Sequence, residues 1–192
     1  MDHNLEEYNF YLWTSKTPPI KYLIELLRDL LTEGNLECYP EYIKLQAVDP
    51  SRVVLIHSKL EGDKFEEYYC PERLVLGLNM EDLFKIIKNM ENTDTLKLFV
   101  KKNNVNKLGI ETYCKEENTC DTTYINLMDL PYQNLTIPSQ TFDNVISIPS
   151  GRFQKICRVI YNFSEKIEIE CENSKLKFRG CNNNVRQEIV IK

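Results

Sequence analysis

Short stretches in which apolar and polar residues alternate recur along most of this chain, and they limit its possible folds more than any other feature. Runs such as "LVLGLN" (74–79), "TLKLFVKK" (95–102) and "KIEIEC" (166–171) have the two-residue period of half-buried β-strands. The same pattern occurs in "FEEYYC" (65–70), "KLGIETYC" (107–114), "TTYINL" (122–127), "KLKFRG" (175–180) and "QEIVIK" (187–192), and two or three further runs lie within 36–60. Many short strands with few helices predict an α+β protein whose antiparallel sheets carry helices on one face.

Three segments have the 3.6-residue period of amphipathic helices instead. The first begins near Pro18 and Pro19, the second follows Asn79, a residue type favoured as an N-cap, and the third follows the "PSG" motif at 149–151. Their apolar stripes are Ile20, Leu23, Ile24, Leu27, Leu30 and Leu31 in the first helix, Met80, Leu83, Phe84, Ile87 and Met90 in the second, and Phe153, Ile156, Cys157 and Ile160 in the third.

The chain also contains an internal repeat at an offset of 133 residues, in which a helix is followed by two strands. At this offset "LEC" (36–38) falls on "IEC" (169–171), and Leu23 of the first helix falls on Ile156 of the third. The repeat predicts two similar domains, at 1–125 and 143–192, joined by a connecting loop at 126–142. The loop contains Pro131 and Pro138, which exclude a continuous central strand or helix.

The second copy of the repeat is shorter than the first. The last residue of the sequence, Lys192, corresponds to Lys59, and the first copy continues beyond that position. If the first copy sets the length of the unit, a complete chain is expected to have about 250 residues. Two interpretations remain open: a fragment of a longer protein, or a reduced relative that assembles differently.

Composition excludes several classes of function. The net charge of −5 argues against a generally basic nucleic-acid coat, and there is neither a signal peptide nor an apolar run long enough to cross a bilayer. The seven cysteines form no C-x-x-C pair, and with only His3 and His57 beside them no zinc-ligand spacing occurs, so reduced and mostly buried thiols of a nuclear or cytosolic protein are expected. No nucleophile, phosphate-loop or metalloprotease motif is present, which predicts a protein without enzymatic activity or cofactor.

The charges of the three helices are biased towards basic residues. Opposite or beside the apolar stripes lie Lys21, Arg28, Lys85, Lys88, Arg152, Lys155 and Arg158, against the acidic residues Glu25, Asp29, Glu81 and Asp82. A charged polar face on one surface helix is ordinary. Three faces with the same bias in an acidic protein favour sequence-independent contact with phosphates.

Four motifs, in order along the chain, carry a resemblance to a known family. They are "LQAVDPSRVVL" (45–55), "NMEDLFKIIK" (79–88), "NLMDL" with "IPSQTF" (126–142) and "IPSGRFQKICR" (148–158). From about Phe10 to Lys192 the sequence resembles the proliferating cell nuclear antigen family of DNA sliding clamps. The resemblance implies two similar domains per chain, closed head-to-tail into a trimeric ring with helices around the hole and sheets outside.

The resemblance also implies three sets of functional residues. The seven basic helix residues fall on positions that face DNA in the family, with Lys16 as a weaker candidate. The loop at 126–142 falls on the interdomain connecting loop, beside which clients dock a short peptide, the PIP box. The peptide-binding residues are then Val48, Arg52, Val53, Leu55, Leu135, Ile137, Pro138 and Phe142. The subunit interface is predicted at Cys120, Asp121, Thr122, Thr123, Tyr124 and Ile125 on one strand and at Ile189 and Ile191 on the partner strand.

Two positions depart from the family pattern. Asn173 stands where the family has a modified lysine, with Lys175 close by but not equivalent, and Ser147 replaces a basic residue before the "PSG" motif. The first change argues against regulation through that lysine. The second lowers the positive charge that the resemblance implies for the central hole.

Three hypotheses about function follow. The leading one is a polymerase processivity factor that encircles double-stranded DNA as a homotrimer and binds DNA polymerase, a clamp loader and other PIP-box proteins, without a membrane partner. The second is a peptide-docking adaptor or decoy that forms no ring, and the third is a DNA-free remnant of the fold. The expected location is the nucleus, or a cytoplasmic virus factory if the source is viral. The many Asn, Lys and Ile residues indicate an AT-rich genome, which is compatible with a virus or with an AT-rich protist.

Overall fold

The computed structural model describes residues 4–131, 135, 137, 141–142, 144–172 and 175–191. The chain forms two compact units, Met1–Ile137 and Pro138–Lys192. Each unit has its own hydrophobic core, and each is described by itself.

The described residues form three α-helices and twelve β-strands. The helices are α1 (Thr17–Leu30), α2 (Met80–Ile87) and α3 (Ser150–Tyr161). The strands are β1 (Tyr8–Thr14), β2 (Glu33–Cys38), β3 (Tyr42–Val48), β4 (Leu55–Glu61), β5 (Glu67–Tyr69), β6 (Leu74–Asn79), β7 (Thr95–Lys101), β8 (Lys107–Cys114), β9 (Thr119–Asn126), β10 (Glu168–Glu172), β11 (Lys175–Cys181) and β12 (Arg186–Ile191). This mixture of antiparallel sheets and helices confirms the predicted α+β class.

The first unit contains two antiparallel sheets. One has the strand order β5-β1-β7-β8-β9 and the other the order β4-β3-β2-β6. Helices α1 and α2 contact each other, and their buried residues Ile24, Leu27, Leu83 and Ile87 belong to the same core as the inner residues of both sheets. The helices therefore pack against the inner faces of the sheets.

The local sequence signals explain where the helices begin. The side-chain oxygen of Asn79 accepts a hydrogen bond from the backbone N–H of Asp82 at 3.0 Å, so Asn79 caps α2 as predicted. Prolines occupy the first turn of α1, where their missing N–H groups would have no helical partner. Helix α3 begins at Ser150, inside the "PSG" motif rather than after it.

Strand β1 was not predicted from the sequence, because it has no alternating pattern. Its residues Phe10, Tyr11 and Leu12 are all 1% exposed. Phe10 and Leu12 belong to the core of the first unit, whereas Tyr11, on the opposite face, lies beside the Tyr8 ring and is paired with Tyr69 and Phe99. A continuous apolar run is what a strand buried on both faces requires.

The second unit is smaller and repeats the first part of the larger one. Strands β10, β11 and β12 form an antiparallel sheet in chain order, as β2, β3 and β4 do in the first unit. Helix α3 packs on this sheet through Ile156 and Ile160, against Leu176 and Phe178. The chain thus follows the helix–strand–strand–strand order twice.

The expectation of mostly buried cysteines is wrong. All seven are free, but only Cys38 and Cys70 are buried, whereas Cys114 and Cys157 are half-buried and Cys120, Cys171 and Cys181 are exposed. The three exposed cysteines lie on the edge strands β9 and β10 and at the end of β11, where the described residues leave one side of the backbone open.

A buried carboxylate on β2 contacts Lys44 on β3 and Arg73, the residue directly before β6, on the outer side of the four-stranded sheet. Glu37 is 4% exposed, and its carboxylate accepts hydrogen bonds from the Tyr39 hydroxyl at 2.7 Å and from Arg73 at 2.9 Å. Lys44 Nζ lies 3.8 Å from the same carboxylate. Burial alone would raise the pKa of Glu37, but the bonds from Tyr39 and Arg73 and the charge of Lys44 outweigh it and lower the pKa below its ordinary value of 4.5.

We expect Glu37→Gln to lower the free energy of unfolding by about 1–3 kcal/mol at neutral pH, because charged hydrogen bonds are lost from a buried position. Since the pKa of Glu37 is lowered in the folded chain, this stabilisation is present above pH 4.5 and is lost as pH falls through the folded-state pKa. Urea unfolding at neutral pH and at several values below pH 4.5 should therefore show a shrinking difference between variant and parent. Glu61→Gln, which removes only an exposed ion pair with Lys59, is the control and should change stability by less than about 1 kcal/mol. A constant difference at all pH values would contradict the assignment.

Candidate functional site

The chain crosses the outer face of the four-stranded sheet after β9. We call this segment, comprising the described residues 127–131, 135 and 137, the strap. The backbone N–H of Met128 donates to the carbonyl oxygen of Gly77 on β6 at 2.9 Å. Further along, Asn35 on β2 donates from its side chain to the carbonyl oxygen of Leu130 at 3.4 Å.

The next contact lies on the next strand of the sheet. The side-chain amide of Gln46 on β3 donates to the carbonyl oxygen of Leu135 at 2.6 Å. Since the sheet order is β4-β3-β2-β6, the strap passes over β6, β2 and β3 in succession. Side-chain amides thus donate hydrogen bonds to carbonyl oxygens of the strap. Because these bonds satisfy carbonyls outside the strand ladders, the irregular segment can lie on the sheet.

Gly77 allows the strap to approach the sheet this closely. A Cβ atom at position 77 would lie 2.1 Å from the carbonyl oxygen of Met128, a backbone atom that cannot move aside without displacing the strap. An isolated glycine in a strand pattern is a recognised sign of close backbone approach. This signal, together with the roles of Asn35 and Gln46, was missed in the sequence, because amides on strands look like ordinary surface residues.

A groove of about 400 Å³ lies between the strap and the sheet. Its lining residues are Leu31, Thr32, Glu33, Gly34, Asn35, Gln46, Ala47, Val48, Pro50, Leu130 and Pro131. Of the predicted peptide-binding residues, Val48 lines this groove. Leu55 is paired directly opposite Val48 in the β3–β4 ladder, so the two side chains share the outer face of the sheet.

The turn between β3 and β4 presents further apolar surface. The carboxylate of Asp49 accepts hydrogen bonds from the backbone N–H groups of Val53 at 2.8 Å and Val54 at 2.6 Å, and Arg52 adopts a positive φ of 59°. This bonding holds the turn in a shape that leaves Val53 81% exposed. Asp49 was not among the predicted residues, although an Asp before a turn is a known signal.

The other predicted peptide-binding residues have different placements. Leu135 is half-buried and held by Gln46, and Ile137 is exposed in the same unit. Phe142 is exposed and belongs to the second unit, while Pro138 lies outside the described residues. The structure therefore brings Val48, Leu55 and the strap onto one face.

The two basic residues of α1 are engaged within the first unit. Lys21 Nζ donates to the carbonyl oxygen of Met90, beyond the end of α2. The guanidinium of Arg28 lies 4.3 Å from the centre of the Phe84 ring and 3.9 Å from the Glu81 carboxylate. These contacts hold α1 against α2, so both side chains are half-buried rather than free on the polar face.

The remaining basic residues are more exposed. Lys85 lies within 3.8 Å of Glu81 and Asp82, whereas Lys88 is exposed and makes no ion pair with the described residues. Lys16, at the N-cap of α1, is likewise exposed. On α3, Arg152, Lys155 and Arg158 are all exposed, and no described acidic side chain lies within ion-pair distance of them. The unpaired positive charge is thus greater on α3 and at Lys88 than on α1.

The most exposed positions of α1 are apolar or acidic. Tyr22 is 70% exposed and Leu26 is 53% exposed, and both lie beside the exposed acidic residues Glu25 and Asp29. The basic bias that the sequence predicts for three helices is therefore uneven in the folded chain.

The predicted interface strands both lie at sheet edges. Strand β9 pairs only with β8 among the described residues, and Cys120, Asp121, Thr122, Thr123 and Tyr124 are all exposed. Ile125 is half-buried against the core of the first unit. In the second unit, β12 pairs only with β11 among the described residues, and Ile189 and Ile191 contact the small core.

Among the described residues no group of three or more His, Cys, Asp or Glu side chains is arranged to hold a metal ion. Within the same ranges, no helix has the length and apolar character needed to span a membrane.

Comparison with models of protein families identifies the family of this chain. A family model described as "Proliferating cell nuclear antigen, N-terminal domain" matches residues 14–134, and one described as "Proliferating cell nuclear antigen, C-terminal domain" matches residues 136–192. The chain belongs to the proliferating cell nuclear antigen family. The family predicted from the four sequence motifs is thereby confirmed.

Two relatives show how far the similarity extends. The chain is 32% identical over 163 residues to the proliferating cell nuclear antigen of Caenorhabditis elegans, covering 84% of this chain and 61% of the relative. It is 31% identical over 173 residues to that of Dictyostelium discoideum, covering 90% of this chain and 67% of the relative. The chain thus spans about three fifths of the first relative's length and two thirds of the second's.

We expect Gly77→Ala to displace the strap and to lower the free energy of unfolding by about 1–3 kcal/mol, because the new Cβ would overlap the Met128 carbonyl. The backbone N–H of Met128, which donates to Gly77, should lose protection in hydrogen exchange while amides of β1 and β7 keep theirs. Gly151→Ala is the matched control, since a Cβ at position 151 meets nothing within 4 Å and alanine suits a helix better. Equal behaviour of the two variants would show that the close approach does not hold the strap.

Proposed function

We propose that this chain acts as a subunit of a DNA sliding clamp that keeps a polymerase on duplex DNA. The proposal rests on family membership and, above all, on one observation. Lys88, at the C-cap of α2, and Arg152, Lys155 and Arg158, on α3, are exposed and have no ion-pair partner among the described residues. Free basic side chains on helices of an acidic protein suit contact with phosphates that carries no sequence information.

Such contacts are useful to a clamp because they are weak. A ring that encircles DNA stays on it through topology, so its phosphate contacts need only orient the duplex and permit sliding. In this proposal all seven predicted basic residues, Lys21, Arg28, Lys85, Lys88, Arg152, Lys155 and Arg158, contribute to the positive side of the helices. Those without an ion pair contribute most, because their charge is not balanced within the unit.

Ring closure would use the two edge strands. We infer that β9 of one copy, through Cys120–Ile125, pairs with β12 of another, including Ile189 and Ile191, and that three copies close a homotrimer. The edge of β9 away from β8 has no strand partner among the described residues, and this edge together with the exposed side chains supports the proposal, because an open edge is a template for strand addition.

Clients would dock beside the strap. We propose that Val48, Arg52, Val53, Leu55, Leu135, Ile137, Pro138 and Phe142 form the surface that receives a PIP-box peptide. The groove at Val48 and the exposed side chains of Val53 and Leu55 support an apolar anchor site next to backbone that can pair with a peptide.

The wider role follows from the same proposal. The partners would be double-stranded DNA, DNA polymerase, a clamp loader and other PIP-box proteins, and the site of action would be the nucleus. The family match also supports the prediction that the chain is not an enzyme. No cofactor is needed for either the DNA contacts or the peptide docking.

A second candidate function is a peptide-docking adaptor that forms no ring. It is favoured by the composition of the groove, whose lining residues all belong to the first unit, so a peptide could bind a single copy. Size-exclusion chromatography with light scattering separates the two functions: a trimer supports the clamp, and a monomer that binds peptide supports the adaptor.

We expect Lys88→Ala combined with Arg158→Ala to weaken binding to duplex DNA and to reduce the slope of log K against log salt by about 2, one unit per lost phosphate contact. Fluorescence anisotropy on duplexes of unrelated sequence measures the slope. Arg28→Ala is the contrasting variant: because Arg28 packs on Phe84, it should lower the unfolding temperature and change the slope less. An unchanged slope in the double variant would contradict the DNA-facing role of these residues.

We expect Val53→Asp and Leu55→Asp each to weaken binding of a fluorescent PIP-box peptide by at least about tenfold, because a charge would enter an apolar contact. Val105→Asp is the matched control, since Val105 is also an exposed valine but lies in the β7–β8 connection. Peptide titrations by anisotropy provide the affinities. If all three variants bind the peptide equally well, this surface is not the docking site.

A further inference from the structure

The first unit consists of two similar halves, each made of a strand, a helix and three further strands. One half is β1-α1-β2-β3-β4, and the other is β6-α2-β7-β8-β9. The halves exchange their first strands, because β1 pairs with β7 of the other half and β6 pairs with β2. Helices α1 and α2 also contact each other, within one core. Each half is therefore completed by the other.

The described residues of the second unit contain one such half. Helix α3 begins 133 residues after α1, and β11 (Lys175–Cys181) lies at the same offset from β3 (Tyr42–Val48). At this offset the segment 141–147 is the counterpart of β1 (Tyr8–Thr14). The described residues of this segment belong to no strand. The element that each half of the first unit gives to the other thus has no partner here.

Positions that are buried in the first unit have exposed counterparts in the second. Cys38 on β2 is fully buried, whereas its counterpart Cys171 on β10 is exposed. Leu12 on β1 is buried as well, but its counterpart Val145 is 91% exposed. The second unit therefore presents to solvent the positions through which one half of the first unit contacts the other.

The open edge of β10 lies beside apolar side chains. Among the described residues β10 pairs only with β11, so its other edge has no strand partner. Ile169 on β10 lies opposite the buried Phe178 and so shares the face on which α3 packs, yet it is 54% exposed. An apolar side chain on the core side of an open edge is typical of a sheet that another strand extends.

Helix α3 has a partly exposed apolar stripe on the corresponding side. Phe153 and Tyr161 are exposed, and Cys157, midway between them at four-residue spacing, is half-buried. The counterpart of Tyr161 on α1 is Arg28, whose guanidinium packs on the Phe84 ring of α2. The stripe therefore runs along the side of the helix that meets a second helix in the first unit.

We propose that the second unit docks on the second unit of another copy of this chain, about a twofold axis. Residues 144–148 of each copy add as an antiparallel strand to β10 of the other, as β6 adds to β2. Helix α3 packs on its own copy, as α1 packs on α2. Twofold pairing satisfies both open elements at once, because each copy supplies one strand and one edge.

The first unit shows why the occupant is a second copy. One half is covered there by another half of the same strand–helix–strand order, and every second unit brings that motif with its first strand unpaired. The two halves of the first unit already complete each other, so they offer neither a free first strand nor the edge beside β2 or β7.

The β2–β6 ladder gives the register of the proposed pairing. Leu76 on β6 lies opposite Leu36 on β2. Helices α1 and α2 begin 63 residues apart, and with this offset and that of 133 residues the counterparts are Ile146 and Ile169. Ile146 is 48% exposed, and in the paired copies it would lie directly opposite Ile169. Such a cross-strand apolar pair stabilises an antiparallel ladder.

The proposed contact leaves the other candidate surfaces free. The counterparts of Arg152, Lys155 and Arg158 on α1 are exposed in the first unit, so these basic side chains stay accessible when α3 packs on its copy. The proposed ring interface uses β12, at the opposite edge of the sheet from β10. A chain that forms the twofold contact but neither binds DNA nor closes a ring would refute the clamp and leave this contact standing.

Cross-linking tests the register. Leu74 on β6 lies opposite Cys38 on β2, so Asn144 of one copy should lie opposite Cys171 of the other. We expect the full chain with Asn144→Cys to give a covalent dimer with a short thiol-specific cross-linker, because only residues that face each other come within its reach. Asn144→Cys combined with Cys171→Ser should lose this dimer. Neither position lies on β9 or β12, so ring closure does not produce the link.

A charge at the paired isoleucines should break the contact. In the Asn144→Cys chain we expect Ile169→Asp and Ile146→Asp each to lower the yield of covalent dimer at least about tenfold. Val185→Asp is the matched control, since Val185 is also exposed but lies in the β11–β12 turn. Because Ile146 lies outside the strands of its unit, Ile146→Asp keeps the test valid if Ile169→Asp disturbs folding.

Four results would overturn the proposal. They are no covalent dimer with Asn144→Cys, a dimer that persists with Cys171→Ser, equal dimer yields for Ile146→Asp and Val185→Asp, and a link between positions 144 and 171 of one chain. Mass spectrometry of the monomer and dimer bands identifies the linked peptides and so separates the last result from the expected one.

Discussion

The close approach of the strap to β6 at Gly77 is the constraint on which the candidate peptide site depends. Because residue 77 has no Cβ, the Met128 backbone can bond to the strand and lie directly on the sheet. From this point the strap can reach Asn35 and Gln46 in turn, and their amides bind carbonyls that the prolines and the irregular backbone leave without strand partners. Without the first contact, the groove beside Val48 would lose one of its walls, since Leu130 and Pro131 line it from the strap.

Ion pairs within a unit reduce the number of basic helix residues whose charge is available to a ligand. A helical wheel counts Arg28 and Lys85 as free basic residues, but the folded chain places both near Glu81. Arg28 also lies over the Phe84 ring, where its aliphatic stem and its charge both contribute to packing of α1 on α2. Its loss would therefore act on stability as well as on charge, so a DNA-binding defect alone would not identify it as a phosphate contact.

The sequence predicted the elements whose signal is local and failed where burial depends on distant partners. Helix α2 was predicted from Asn79 and its apolar stripe, because both the cap and the stripe are properties of neighbouring residues. Strand β1 was not predicted, because Phe10, Tyr11 and Leu12 form an apolar run without alternation, and their burial depends on β5 and β7, which lie far away in the chain. The exposed cysteines were misjudged for a related reason: Cys120 and Cys171 lie on edge strands, and edge positions cannot be recognised before the sheet order is known. The candidate site shows the same division. Val48 and Leu55 could be predicted from the motif at 45–55, whereas the roles of Gln46 and Gly77 can be recognised only when the path of the strap over the sheet is known.

The first unit presents its candidate surfaces on separate parts of its fold, and this separation has a consequence for binding. The groove lies on the four-stranded sheet, whereas β9, whose edge away from β8 has no strand partner among the described residues, belongs to the five-stranded sheet. Ligands on different sheets do not share lining residues, so they need not compete, and any coupling between them must pass through the common core of α1, α2 and the inner strand residues. Coupling of that kind requires a ligand to favour one of two arrangements of the core. A close-packed core resists small displacements, so the simplest expectation is independent occupancy of the groove and of the β9 edge, with each partner stabilising the same unit.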